Sequence, residues 1–262
     1  MRDFTMSTKQ YYIMKWIAMI SMLIDHVASA FYEVFNWDTN FYIFCRTIGR
    51  LAFPLFCFML VESFYFTKNR LIHFEKIAIL AILSEIPFDL AFYSSFIYMG
   101  YQNVCITLAL GFVMLFITLF GKRYGSEYID EYVKSDAVVK RFIIPVFDIL
   151  LLFVFGVTAS MLSADYGFSG IFLIWGFNLA RSAPNANLRR AAVIIAFILL
   201  RLDIMYAACL VDLGIIYILT RKDGNSDETK FSEIITGKRS KAICSMFYPA
   251  HLAIIAVCKL IF

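Results

Sequence analysis

Charge is what this 262-residue chain has little of: Asp, Glu, Lys and Arg make up 17% of it, against about 25% in an ordinary soluble domain. The same chain is 61% hydrophobic and 18% aromatic, with a mean hydropathy of +0.74. A soluble globule of this size must turn many residues to water and cannot hide so much apolar surface. That excludes a soluble globule and a disordered chain. Histidine is also scarce, with three in all. They form no HExxH motif and no His/Cys cluster, so no metal site is expected. The cysteines, Cys45, Cys57, Cys105, Cys209, Cys244 and Cys258, lie in or beside apolar runs and make no CxxC pair. They read as small packing residues and exclude a disulfide scaffold. Internal repeats and low-complexity tracts are absent. The apolar runs do not alternate with period two, which excludes a membrane β-barrel.

What is there is an all-α, polytopic membrane helix bundle, read as a single domain over residues 1–262 of a multi-pass protein in the cell membrane. A spanning helix needs about 20 mostly apolar residues, and about nine such runs can be drawn. They are Tyr11–Phe35, Phe41–Phe66, Phe74–Tyr93, Val104–Phe120, Phe142–Leu162, Tyr166–Ala180, Ala191–Leu200, Ile204–Thr220 and Met246–Phe262. The first run has a basic start at Arg2, Lys9 and Lys15 and a small-residue stretch at Ala28-Ser29-Ala30, as a signal peptide would. Asp25 and His26 precede that stretch and the apolar run continues to Phe35, so it reads as a retained span. The lipid bilayer is the first partner expected.

Basic residues set the orientation. Lys68 and Arg70, Lys122 to Arg141, Arg181 to Arg190 and Arg221 to Lys241 fall in alternate connections, while the others hold only Arg201. This places the N-terminus in the cytoplasm and, with an odd number of spans, the C-terminus outside. The net charge of +4 is then topology signalling, and no nucleic-acid partner is expected. The longest connections, Gly121–Arg141 and Arg221–Lys241, read as solvated cytoplasmic loops.

A charge near the bilayer centre costs roughly 2.5–3.5 kcal/mol. The first three spans nevertheless carry Asp25, His26, Arg46, Arg50, Glu85 and Asp89. Such groups must pair or face a polar cavity. Arg46 and Arg50 share one helix face, as do Glu85 and Asp89, with Pro87 between the two acids. On the drawn topology all six lie between mid-membrane and the external side. His26 suits a general base near neutral pH, since an imidazole has an ordinary pKa of about 6.5. Asp25, or a carboxylate of the third span, would orient it, and the arginines would hold a phosphate or a developing oxyanion. A proton-coupled transporter would use the same groups as a relay, and a structural subunit would use them as packing ion pairs. His251 lies nearer the cytoplasmic end of the last drawn span and reads as a packed or site-structuring histidine. His73 falls in a cytoplasmic loop. Asp165, Asp203 and Asp212 are external-loop or cavity groups.

Three segments carry these charges: Lys15 to His26 (KWIAMISMLIDH), Arg46 to Phe56 (RTIGRLAFPLF) and Ser84 to Phe92 (SEIPFDLAF). They resemble, in order, motifs of the TraX family. Gln102-Asn103-Val104, Asp165-Tyr166-Gly167 and Tyr248-Pro249-Ala250-His251-Leu252 are similar to further parts of it. The resemblance implies an integral-membrane acyltransferase that takes an acetyl group from cytoplasmic acetyl-CoA, as in the N-acetylation of pilin subunits. It implies that His26 is the histidine of the family's Asp-His pair, and that Arg46 and Arg50 are its paired arginines. The expected roles are catalysis for His26 and Asp25, cofactor binding for Arg46 and Arg50, and substrate or site structuring for Glu85, Asp89 and His251. A peptide amine, a cell-wall amine, a glycan hydroxyl and a lipid head group remain open as acceptors.

Overall fold

The structure, a computed structural model, describes residues 7–132, 137–182, 209–220 and 236–262. Among them the helices are α1 (Thr8–Phe31), α2 (Thr39–Gly49), α3 (Ala52–Phe66), α4 (Arg70–Tyr93), α5 (Val104–Tyr132), α6 (Ala137–Met161), α7 (Gly167–Ser182), α8 (Cys209–Thr220) and α9 (Lys238–Ile261). The described residues hold no strand beyond one isolated bridge between Gln102 and Ala164. Among the described residues four helices are long and apolar enough to cross a membrane: Thr8–Phe31, Thr39–Phe66 (α2 with α3), Val104–Tyr124 and Lys238–Ile261. The fold is therefore all-α and fits a membrane protein, while the figure of about nine spans stays a sequence expectation. The seventh drawn span, Ala191–Leu200, the first residues of the eighth, and Arg201 and Asp203 lie outside the described residues.

Local chemistry explains where the site-bearing helices begin and break. Ser7 and Gln10 form a capping box at the start of α1, with Gln10 N–H donating to Ser7 Oγ at 3.2 Å and Ser7 N–H to Gln10 Oε1 at 2.8 Å. Asp38 Oδ2 accepts from the N–H groups of Asn40 and Phe41 at 2.9 and 3.2 Å, starting α2. The second drawn span is broken at Arg50 and Leu51, between α2 and α3. Pro54 is the cause. It has no N–H for the Arg50 carbonyl four residues back, and its ring crowds that carbonyl. Arg50 is thereby left at a helix break.

Two connections differ from expectation. The helix α5 runs on through Gly121 to Tyr132, so much of the supposed Gly121–Arg141 loop is helical. Neither glycine there nor the polar residues supply a stop as strong as proline. The last helix begins at Lys238, well before Met246. Lys238, Arg239 and Lys241 do not end a helix, because long basic side chains carry their charge out to water.

The chain divides into two compact units, one of residues 1–59, 82–98 and 197–262 and one of residues 60–81 and 99–196. In the first unit α1 and α9 pack side by side and run parallel. Trp16 Nε1 donates to Ser240 Oγ at 3.2 Å, His26 meets His251, and the Phe35 and Phe262 rings lie 5.6 Å apart. This register brings His251 level with His26. A core of Ala30, Phe31, Ala91, Ile255 and Ala256 lies along the seam, and Lys259 Nζ reaches the Ala91 carbonyl at 3.0 Å.

In the second unit the segments around Gln102 and Asp165 meet. Their backbones pair on either side of Ala164, and the Tyr101 hydroxyl donates to Asp165 Oδ1 at 2.6 Å. Asn103 is fully buried: its Oδ1 accepts from Cys105 N–H and its Nδ2 donates to the Ala81 carbonyl, both at 2.9 Å. Gly167 follows with φ +41°, a left-handed turn into α7 that favours glycine. These two family-like segments are therefore tied to each other through their backbones.

Candidate functional site

The first unit gathers the site on α1, whose adjacent Asp25 and His26 point their side chains about 100° apart around the helix and take different partners. Asp25 Oδ2 accepts from Arg46 Nη1 at 2.7 Å, tying α1 to α2. The pair is largely buried, with side-chain exposures of 20% for Arg46 and 13% for Asp25, so each charge depends on the other. Gly49 permits the contact. A Cβ built on it would overlap the Cβ, Cγ and Oδ1 of Asp25. Gly49→Ala is expected to push the two helices apart and lower stability by about 1–3 kcal/mol, read as a lower thermal midpoint in detergent.

His26 turns to α9. Its Nδ1 lies 2.8 Å from His251 Nε2, and His251 Nδ1 lies 2.7 Å from the Phe247 carbonyl oxygen. The two imidazole planes differ by 15° with centroids 5.0 Å apart, the geometry of two rings bonded edge to edge. Aromatic rings hold the pair. Phe92 stands edge-on to His26 at 5.3 Å, Phe247 stacks on His251 at 4.8 Å, and Tyr248 stands edge-on to His251 at 5.6 Å. His251 is buried and His26 half-buried, so His26 is the more accessible member.

The carboxylate expected to orient His26 is thus engaged elsewhere. Asp25 holds Arg46, and the group bonded to His26 Nδ1 is His251. Arg50 is half-buried at the C-terminus of α2. Glu85 is half-buried on α4. Asp89, one turn before Phe92, is buried, and its Oδ2 accepts from Tyr98 N–H at 2.7 Å. Asp89 therefore anchors the turn that follows α4. Among the described residues no group of three or more His, Cys, Asp or Glu side chains is placed to hold a metal ion.

Residues 10–259 match the family described as TraX protein. The chain belongs to the TraX family. A relative, the "Probable fimbrial assembly protein FimC, serogroup H1" of Dichelobacter nodosus, is 33% identical over 112 residues, 39% of this chain and 43% of that protein. The match thus spans less than half of that relative's length. No solved structure matches the chain. The TraX family and the long apolar helices together point to a membrane protein.

The chain also pairs charges outside the set Asp25, His26, Arg46, Arg50, Glu85 and Asp89. In the second unit Arg181 of α7 donates to Glu62 of α3, and its guanidinium lies over the Tyr65 ring at 4.7 Å. The Tyr65 hydroxyl donates to Asn178 Oδ1 at 2.6 Å, and Lys122 pairs with Asp148 at 2.8 Å. Glu62 sits within an apolar run and was visible as such. Its partner, more than a hundred residues on, was not. Tyr65→Phe strands the Asn178 amide oxygen and is expected to cost about 1–3 kcal/mol, measurable by denaturation of detergent-solubilised protein. Asp212 on α8 is fully buried.

Proposed function

We propose that this protein is a multi-pass acyltransferase of the cell membrane that moves an acetyl group from acetyl-CoA to an extracytoplasmic amine or hydroxyl. The observation that carries the reading is the bonded pair His26–His251 beside the buried pair Asp25–Arg46, two polar devices on adjacent residues of one apolar helix. A structural subunit needs ion pairs to cancel charge. It has no need of a second device built from two titratable imidazoles.

The chemistry asks for a base and for positive charge. An amine attacks the thioester carbonyl of acetyl-CoA, a C–N bond forms, the C–S bond breaks, and one proton must pass from the amine to the leaving sulfur. His26 receives that proton as the amine adds and returns it to the thiolate of CoA. Arg46 and Arg50 supply positive charge for the oxyanion or for a CoA phosphate, while Asp25 holds Arg46 in place. Asp89 holds the turn after α4, and Glu85, one turn before it on α4, is left to shape the approach. The family and the fimbrial naming of the relative favour a peptide amine, such as a pilus subunit's N-terminus, over the glycan, lipid and cell-wall acceptors. An α-amine with a pKa of about 7.7–8.0 is close enough to neutrality for a histidine to serve it.

The test uses labelled acetyl-CoA and envelopes from cells that express the protein. Label that appears in envelope material only when the protein is present supports the reading. Substrate-dependent proton flux in liposomes without CoA, with no transfer of label, overturns it in favour of a proton-coupled transporter.

A further inference from the structure

We infer that His251 is a positioning residue that fixes the tautomer of His26, leaving His26 Nε2 as the bare nitrogen of the site. The catalytic consequence rests on the acyl-transfer reading above. The tautomer does not.

The assignment follows from which atoms can carry hydrogen. The Phe247 carbonyl oxygen only accepts, so the 2.7 Å contact with it requires a proton on His251 Nδ1. A neutral imidazole carries one N–H, so His251 Nε2 is then a bare acceptor. The 2.8 Å contact between that atom and His26 Nδ1 needs one hydrogen, which His26 Nδ1 must supply. His26 has spent its only N–H, and its Nε2 carries a lone pair. The direction of the chain is set at its far end by a backbone carbonyl, a group that cannot titrate.

The same arrangement can move a proton. When His26 Nε2 takes a proton, the Nδ1–H bond of His26 can break as an N–H bond forms at His251 Nε2. The positive charge then rests on His251, which donates from both nitrogens, to His26 and to the Phe247 carbonyl. A hydrogen bond from an ionised donor is about twice as strong as a neutral one. The Phe247 stack at 4.8 Å and the edge-on Tyr248 at 5.6 Å hold the His251 ring in the plane this transfer needs.

The experiment is nitrogen NMR of the full chain in detergent, labelled at histidine. Only three histidines contribute signals, and His73→Gln removes the one outside the pair. The expected spectrum shows His26 protonated at Nδ1 and bare at Nε2, with His251 protonated at Nδ1. His251→Gln places an amide oxygen where Nε2 was and keeps the His26 tautomer. His251→Leu removes the acceptor, and His26 loses its single tautomer. In the transfer assay His251→Leu is expected to lower kcat by about tenfold or more with the KM for acetyl-CoA unchanged, since a wrong tautomer disables a base whose position is intact. His251→Gln restores most of that loss. A proton found on His26 Nε2 in the unaltered protein overturns the inference, and so do Leu and Gln variants that behave alike. If no acetyl transfer is found in the unaltered protein, the functional reading falls and the spectrum alone decides the tautomer.

Discussion

If the protein is the proposed acetyltransferase, replacing His26 with alanine should leave a folded, membrane-inserted protein whose acetyl transfer falls by about 10²–10⁴-fold, the range that a general base contributes. The loss should appear in kcat, because the ring is not the group that holds CoA. Stability should fall much less. The substitution strands His251 Nε2, and an unmet buried acceptor costs about 1–3 kcal/mol, partly relieved because His26 is itself half-buried. Measuring label transfer beside the detergent melting curve separates the two effects. Transfer retained at the original rate would remove His26 from the chemistry and leave the imidazole pair as a packing device.

The second large effect is on stability. Arg46→Met leaves the Asp25 carboxylate in an apolar seam without the guanidinium now 2.7 Å away, and breaking one side of a buried pair costs about 3–5 kcal/mol. Asp25→Asn alone should cost less, because the asparagine amide oxygen can still accept from Arg46 and the guanidinium left uncompensated is the more exposed partner, 20% against 13%. The double variant Asp25→Asn/Arg46→Met should regain much of the Arg46→Met loss, and a double-mutant cycle of melting data reads that coupling. If the losses simply add, the pair does not carry the α1–α2 contact. If Arg46→Met stays stable while label transfer disappears, Arg46 acts on substrate and its pairing is secondary.

Much of the fold was legible because the bilayer imposes a simple rule. Long apolar runs must be helices, and α1, α4, α6 and α7 follow the drawn spans closely. Two features of the sequence account for the differences in helix bounds. Pro54 stands four residues after Arg50, which is enough to expect the break that ends α2. Lys238 to Ser245 contains no helix breaker, so the start of α9 could have been drawn earlier. The earlier start matters most for His251, which lies in the middle of a helix that begins at Lys238 and meets His26 there.

The site was half legible for a different reason. Charges in apolar runs announce themselves, and Asp25, His26 and Arg46 stood out on that ground. Their partnerships are long-range facts. Whether Asp25 turns to Arg46 or to His26 depends on which helix lies on which side of α1, and spacing along a single helix carries no such information. Gly49 illustrates the limit. Its value is the absence of a side chain where Asp25 arrives, which only the packed structure reveals.

The parallel seam between α1 and α9 bears on biogenesis. The two histidines are 225 residues apart in the chain. At synthesis rates of about 5–20 residues per second, His26 enters the membrane roughly 10–45 s before its partner is made. Through that interval the nascent chain holds an imidazole whose Nδ1 has not met His251. The bonded pair forms only when α9 comes to lie beside α1, so a chain not yet complete through α9 holds His26 without the partner that its Nδ1 meets in the folded protein.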